Sequence, residues 1–378
     1  MERDLYNSYL YVDLEGAAAN YRSLRARFAP DTQVIPVLKG DAFGLGLLPV
    51  ARRLLREGEP PYLGVAHAAE GAALRDAKIQ CPILVLAGIL PTQCKAVVQY
   101  DLTPGVGRLG IVPLLAKEAE RQEKTVCIHL TIDTGLGRLG VRPGEELSAL
   151  LDEIKAAGSA VRVTGTYSHF AKAETEQSPM VTAQYEQYLA VLDQIADAGM
   201  NPGMRHLSNS AASEWFPQAD FDAVRLGRRL FFDSPTTPNG SVHEIASWRT
   251  AVTNLRCVKA GERFGYGEGI RLDHDAQLAL IGVGYGDGLL RTYADAHAPI
   301  LIRGQRAPLL GLCMDQAFVD ATGISCEVGD EATLFGWDKE GNFLSAQETA
   351  ARIDDEGCGL TSVLTPRVKR IYSQEKGV

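Results

Sequence analysis

Lys39 closes an apolar run, VIPVLK (34–39), and is followed at once by the turn-rich GDAFGLG. An ammonium resists leaving water, so a lysine ending a buried strand is costly unless it is used or modified. Burial also lowers its pKa, which makes it a better Schiff-base former. Further polar groups stand at or just after the ends of other apolar runs: His67, Asp133 with Arg138, His169, Asn209 with Ser210, and Arg225 with Gly227. Together they offer bases, positive charge and donors for an anionic oxygen. VRLG (224–227) places Gly227 beside Arg228, with Ser210 at the end of the preceding run, a combination suited to phosphate. His67 has a plainer reading as a histidine bonded to a loop. GLGRLG (135–140) fits GxGxxG, but Gly-rich turns after strands are common, and no two-lobed nucleotide fold surrounds it.

The elements that must position these groups are short β-like runs at 33–39, 61–67, 82–88, 102–106, 125–134, 161–170, 204–210 and 223–227. Most are followed by helical pattern, such as 112–122, 144–158 and 180–199, with AASEWF (211–216) after the seventh. Continuous apolar strands alternating with helices indicate a parallel sheet covered on both faces. Eight such units predict an α/β fold with an N-terminal (β/α)8, TIM-like barrel, in preference to an open doubly wound sheet. In that barrel the working face lies at the carboxyl ends of the strands, and phosphate binds after strands seven and eight. A Schiff-base lysine plus a phosphate cradle is what pyridoxal 5'-phosphate requires.

Beyond about residue 240 the chain turns β-branched and Gly-punctuated, with one helix near 345–354. This predicts a barrel domain over 1–238 and a second, β-rich C-terminal domain over 239–378, joined near PTTPNG (235–240). The first ten or so residues are expected to pack on the C-terminal domain.

The net charge of -9 over 378 residues argues against nucleic acid as a partner. No stretch nears the roughly 18 consecutive apolar residues of a membrane helix, and the acidic start is no secretory signal. Seven cysteines are spread singly, without CxxC, and the seven histidines include no HExxH. The expectation is a cytoplasmic protein with no metal site.

In order along the chain, VDLEGAAANY, VLKGDAFGLG, IDTGLGRLG, YSHFAKAE, LSNSAA, VRLG, GYGEG, GYGDGLLR, LCMDQAFVD and TPRVKR resemble the motifs of the alanine racemases. That resemblance implies a pyridoxal-phosphate enzyme working as a head-to-tail homodimer with shared active sites. Lys39 resembles the lysine that carries the cofactor and acts as one base. Tyr266 resembles the opposing base, delivered from the neighbouring subunit. Arg225 resembles the arginine at the pyridine nitrogen, and His169 the histidine linking that arginine to the tyrosine. Ser210 and Gly227 match phosphate contacts, with Asn209 and Arg228 beside them. Arg138 matches the arginine near the cofactor and substrate carboxylate. Tyr285 matches a tyrosine at the substrate entrance, and Met314 a backbone contact to the carboxylate.

The sequence departs from the family at four places. Phe43 and Cys358 stand where tyrosines are expected, Thr131 where a lysine often precedes the DTG motif, and Gly311 or Leu312 where an arginine precedes CMD. The resemblance then implies a thinner phosphate shell, with Arg228 or Arg229 as replacements, and room for a side chain larger than methyl. Alanine is the expected substrate, for D-alanine supply to peptidoglycan. A serine or broad-specificity racemase is the alternative, and a non-catalytic cofactor-binding barrel is a third.

Overall fold

The structure, a computed structural model, describes residues 5–174, 178–232 and 242–373. The junction expected at 235–240 lies outside the described residues. Eight parallel strands form a barrel: Gln33–Pro36, Leu63–Val65, Ile83–Val85, Thr103–Val106, Val126–Thr131, Val161–Tyr167, Met204–His206 and Ala223–Leu226. The ring closes through Gln33↔Ala223 to Pro36↔Leu226, the bridge Val37↔Gly64, and Arg225 N–H donating to the Ser208 carbonyl at 3.0 Å. Strands such as Leu63–Val65, Ile83–Val85 and Ala223–Leu226 are buried at every position, which is why their sequences do not alternate.

Helices Leu47–Leu55, Ala68–Asp76, Cys94–Gln99, Val112–Arg121, Glu145–Ala156 and Pro179–Asp197 follow the first six strands. The seventh connection departs from expectation. Residues 211–216 give only the one-turn 3₁₀ segments Ala212–Glu214 and, after them, Pro217–Ala219, because Pro217 follows too soon for a helix to propagate. The eighth strand leads only to a 3₁₀ turn, Arg228–Leu230. Its place on the outside is taken by Leu14–Arg25, capped by Asp13, which precedes the first barrel strand and packs against Leu47–Leu55 and Arg228–Leu230.

The second domain is a closed six-stranded ring, Ala246–Val258, Ala276–Ile281, Ala317–Asp320, Gln305–Leu312, Pro299–Ile302 and Glu331–Trp337, returning to Ala246–Val258. The thirteen-residue Ala246–Val258 serves both ends of the ring because its register shifts between Val252 and Asn254. Ser8–Val12 pairs antiparallel with it, and Lys369–Tyr372 lies parallel to Ser8–Val12 on the far side. A hairpin of Arg263–Phe264 and Ile270–Arg271 projects from this domain with Tyr266 in its turn. Helix Ala346–Ala351 falls within the expected 345–354, and a second helix, Gly357–Ser362, follows. Among the described residues no helix is long and apolar enough to cross a membrane.

The domains meet at the loop that follows Lys39. Helix Gly357–Ser362 packs against Lys39–Phe43, and Arg370 Nε donates to the Gly44 carbonyl at 3.0 Å. Gly44 has φ +79°, and a Cβ there would lie 2.0 Å from the Thr361 carbonyl oxygen. Both features exclude a side chain. Gly44→Ala is therefore expected to destabilise the chain by about 2 kcal/mol or more. Urea denaturation with the midpoint read by fluorescence measures this, and a loss below about 0.5 kcal/mol contradicts it.

Candidate active site

The carboxyl ends of the barrel strands enclose a cleft of about 470 Å³. Lys39, Arg138, His169, Asn209, Ser210, Arg225, Gly227 and Arg228, far apart in sequence, all line it. Phe43, Thr131 and Cys358, three of the four positions that depart from the family motifs, line it too.

Lys39 begins an unusual turn. Gly40, Asp41, Ala42, Phe43 and Gly44 all have positive φ, between 53° and 79°, a left-handed run containing three non-glycine residues. Lys39 is exposed to the open cleft, but the protein crowded around its amine partly desolvates it and, with the Arg138 charge close by, holds its pKa below the ordinary lysine value. A larger fraction is thus the neutral, nucleophilic form.

Arg225 is 4% exposed and forms the floor of the cleft. Its Nη1 donates to the His206 carbonyl at 2.6 Å and to His206 Nδ1 at 2.8 Å. Its Nη2 donates to the carbonyls of Ser168 and Leu207 at 2.7 and 2.9 Å, and more weakly to His169 Nδ1 at 3.3 Å. Four N–H bonds are thereby committed, and Nε–H is the donor with no acceptor among the described residues. Burial brings the guanidinium down to about 10, so it remains a cation at neutral pH.

A guanidinium only donates, which fixes the tautomers of the histidines it touches. His169 and His206 accept at Nδ1 and carry their proton on Nε2. His206 Nε2 then donates to His129 Nδ1 at 2.9 Å, leaving the His129 proton on Nε2, where it has no partner among the described residues. Desolvation, reinforced by the Arg225 charge, holds His169 and His129 near pKa 3 and His206 well below its ordinary value. All three are neutral imidazoles at physiological pH. His129 and His206 sit inside the barrel and were not legible as site residues.

At the other end of the cleft Gly227 N–H donates to Ser210 Oγ at 3.2 Å. A Cβ on Gly227 would lie 3.0 Å from the Phe43 ring, so the glycine keeps this wall open. Asn209 Oδ1 accepts from Ala211 and Ala212 N–H at 3.1 and 3.0 Å and shapes the turn that presents Ser210. Arg228 pairs with Glu356 of the second domain, so its guanidinium already has a counter-ion. Arg229 is no replacement for the missing hydroxyls. It is 2% exposed and pairs with Glu214, itself held by Arg27, because the side chain turns away from the mouth into the core.

Three predicted residues are not in this cleft. Tyr266, Tyr285 and Met314 belong to the second domain and are 83%, 38% and 56% exposed. Tyr285 and Met314 lie together, since Tyr285 N–H donates to the Cys313 carbonyl and Gly286 N–H to that of Met314, at 3.1 and 2.8 Å. Of the two positions where the arginine is missing, Gly311 offers no open room, since a Cβ there would lie 2.5 Å from Ile270 Cδ1. His67 lines a separate, adjoining cleft of about 770 Å³ and not the one holding Lys39. GLGRLG is a loop held by Asp133, whose carboxylate accepts from Gly135 and Gly137 N–H at 3.0 Å each.

Fold and cleft define a two-domain barrel protein whose working face joins an amine, a buried arginine and the Ser210–Gly227 turn. Residues 12–235 match the alanine racemase N-terminal domain and residues 245–372 the alanine racemase C-terminal domain. The chain belongs to the alanine racemase family. It is 31% identical to an alanine racemase of Halothermothrix orenii, with 97% of both chains covered, and 34% identical to one of Symbiobacterium thermophilum, with 96% of both covered. The solved alanine racemase from D-cycloserine-producing Streptomyces lavendulae superposes with a TM-score of 0.91 at 31% identity, covering 98% of this chain and 97% of that one.

The histidine chain makes acid stability predictable. The folded pKa of His169 and His129 lies near 3 while the unfolded chain titrates near 6.5, so the unfolded state takes up protons first. Their contribution is complete above about pH 6.5 and is lost as pH falls towards 3, by roughly 1.4 kcal/mol per pH unit for each histidine. Urea midpoints should fall steadily over that window, and ring ¹⁵N shifts should still report neutral Nε2–H tautomers at pH 5. Imidazolium shifts at pH 5 in the folded protein would contradict the assignment.

Proposed function

We propose that this chain is an alanine racemase that holds pyridoxal 5'-phosphate on Lys39 and completes its site with Tyr266 of a second copy. The observation that carries the reading is the Arg225 network. Every other N–H of that guanidinium is committed to the protein, and Nε–H alone is left for an acceptor in the cleft. A ring nitrogen suits that single donor. Lys39 then supplies the amine, and Ser210, whose Oγ accepts from Gly227 N–H, keeps its own O–H to donate to a phosphate, so the residues present fit the cofactor.

When bound, the cofactor provides an electron sink that loosens the proton on the substrate Cα. The protein's part is to move that proton. Inversion requires removal from one face and return on the other, hence two bases on opposite sides. Lys39 Nζ serves one face, and the Tyr266 hydroxyl of the second copy serves the other. Arg225, a cation with a pKa of about 10, does not give up its proton to a pyridine nitrogen. Arg225 would therefore keep a ring nitrogen beside it unprotonated, which would weaken the electron sink and favour proton return over side reactions such as transamination. Neutral His169, bonded to Arg225 through Nδ1, has Nε2–H free to face the tyrosine. Arg138, Tyr285 and Met314 bind and admit the substrate carboxylate.

The 83% exposure of Tyr266 and 56% exposure of Met314 support a head-to-tail homodimer in which these groups are covered by the partner's barrel mouth. Seven free cysteines suit a reducing cytoplasm, where the product D-alanine would feed peptidoglycan synthesis.

The purified protein is expected to show a visible cofactor band that Lys39→Ala abolishes, and to racemise alanine well ahead of serine, lysine and arginine. Absence of the band sinks the cofactor assignment, whereas preference for a larger amino acid sinks only the substrate. A mixture of Lys39→Ala and Tyr266→Ala chains, refolded together, should regain activity that neither has alone. Failure to regain it would argue against sites shared between subunits.

A further inference from the structure

We infer that Glu70 is the positioning residue for Lys39, a two-sided clamp that holds the strained turn after the lysine. The inference rests on the cofactor reading above for its consequences in binding, while the clamp itself stands on geometry. Glu70 is at the third position of helix Ala68–Asp76, after the second barrel strand. Its Oε2 accepts from Ala66 N–H at 2.8 Å and His67 N–H at 3.0 Å, which caps its own helix. Its Oε1 reaches across to the loop after the first strand, accepting from Gly40 N–H at 2.6 Å and, at longer range, from Asp41 N–H at 3.4 Å.

A helix cap explains only half of this arrangement. The other half grips the peptide immediately after Lys39, where the left-handed run begins. Three non-glycine residues in that run, Asp41, Ala42 and Phe43, each cost roughly 1–2 kcal/mol in this conformation. Such strain persists only where the surroundings over-determine it. The far end is fastened by Asp41 Oδ1, which accepts from Leu47 N–H at 2.7 Å and ties the turn to the next helix. Glu70 fastens the near end. Four donors on two oxygens require a carboxylate, since an amide would turn an NH₂ towards two N–H groups. The negative charge also lies near enough to act on the Lys39 amine. Loss of Glu70 releases the backbone at Gly40, and the amine no longer has one fixed direction into the cleft.

The test compares Glu70→Gln with Asp13→Ala, which removes a helix cap far from the cleft, between Asp13 and Glu15 N–H. Three readouts are taken on the holoenzyme: the thermal midpoint, cofactor retention by equilibrium dialysis, and kcat against KM for alanine. Amide hydrogen exchange over residues 40–44 is the fourth. Both variants should lose similar thermal stability. Glu70→Gln alone should release cofactor with a dissociation constant raised ~10-fold, lower kcat more than it changes KM, and speed exchange at Gly40 and Asp41 by ~10-fold. Unchanged exchange in Glu70→Gln overturns the clamp whether or not cofactor binds. Faster exchange in wild-type-like retention and kcat overturns the link to Lys39. A wild-type protein without bound cofactor sinks the proposed function instead, and the exchange result then decides the clamp.

Discussion

A buried guanidinium organises this molecule. Arg225 lies in the last barrel strand with no carboxylate partner among the described residues, its charge met by three backbone carbonyls and the Tyr167 ring 5.3 Å away. Such a charge is tolerated inside a protein only when its donors are satisfied. Satisfying them fixes the ends of strands six and seven, because the accepting carbonyls belong to Ser168, His206 and Leu207. It also dictates the protonation of the neighbouring histidines. A cation that cannot accept a proton forces His169 and His206 to turn a lone pair towards it, and His206 passes the same constraint to His129. Tyr167, stacked on His206 with its hydroxyl on the Leu86 carbonyl, closes the network against the third strand.

The opposite wall of the cleft is held by backbone geometry. Five consecutive residues with positive φ carry the chain from Lys39 into helix Leu47–Leu55. That turn is a point where the domains touch, through Gly44 against Thr361 and Gly46 against Tyr372. The second domain therefore does more than present residues outward. Its helix Gly357–Ser362 and its last strand back the loop that directs the lysine, and Glu356 and Cys358 enter the cleft beside Arg228. Rigidity in the amine and rigidity in the arginine come from different sources, strain locked by packing on one side and saturated hydrogen bonding on the other.

Much of this was legible along the chain. The apolar runs that ended in Lys39, His169, Ser210 and Arg225 became barrel strands whose ends converge, because a parallel barrel puts every carboxyl end on one face. The seventh connection misled, since its apolar and aromatic residues serve a compact turn around Asn209 and Pro217 and not a helix. Arg228 and Arg229 are adjacent and chemically identical, yet one lines the cleft and the other is buried on Glu214. Nothing local distinguishes them, because the direction of a side chain in a 3₁₀ turn depends on what surrounds it. Gly311 read as vacant space, but Ile270, forty-one positions earlier, occupies it.

The sequence by itself determined the number and order of the barrel strands, the residue types available to chemistry and the family motifs, because periodicity and local composition are carried by neighbours in the chain. It did not determine the strand ends, which fall short of the predicted 33–39, 161–170 and 204–210 at Pro36, Tyr167 and His206. VLKGDAFGLG was enough to single out Lys39, and the structure places that residue in the cleft. Only the tertiary structure decided which donors remain free. The single uncommitted N–H of Arg225, the tautomers of three histidines and the double grip of Glu70 arise from contacts between residues brought together by barrel closure. Hydrogen-bond saturation is a property of the assembled site, and it is invisible until every acceptor has been placed.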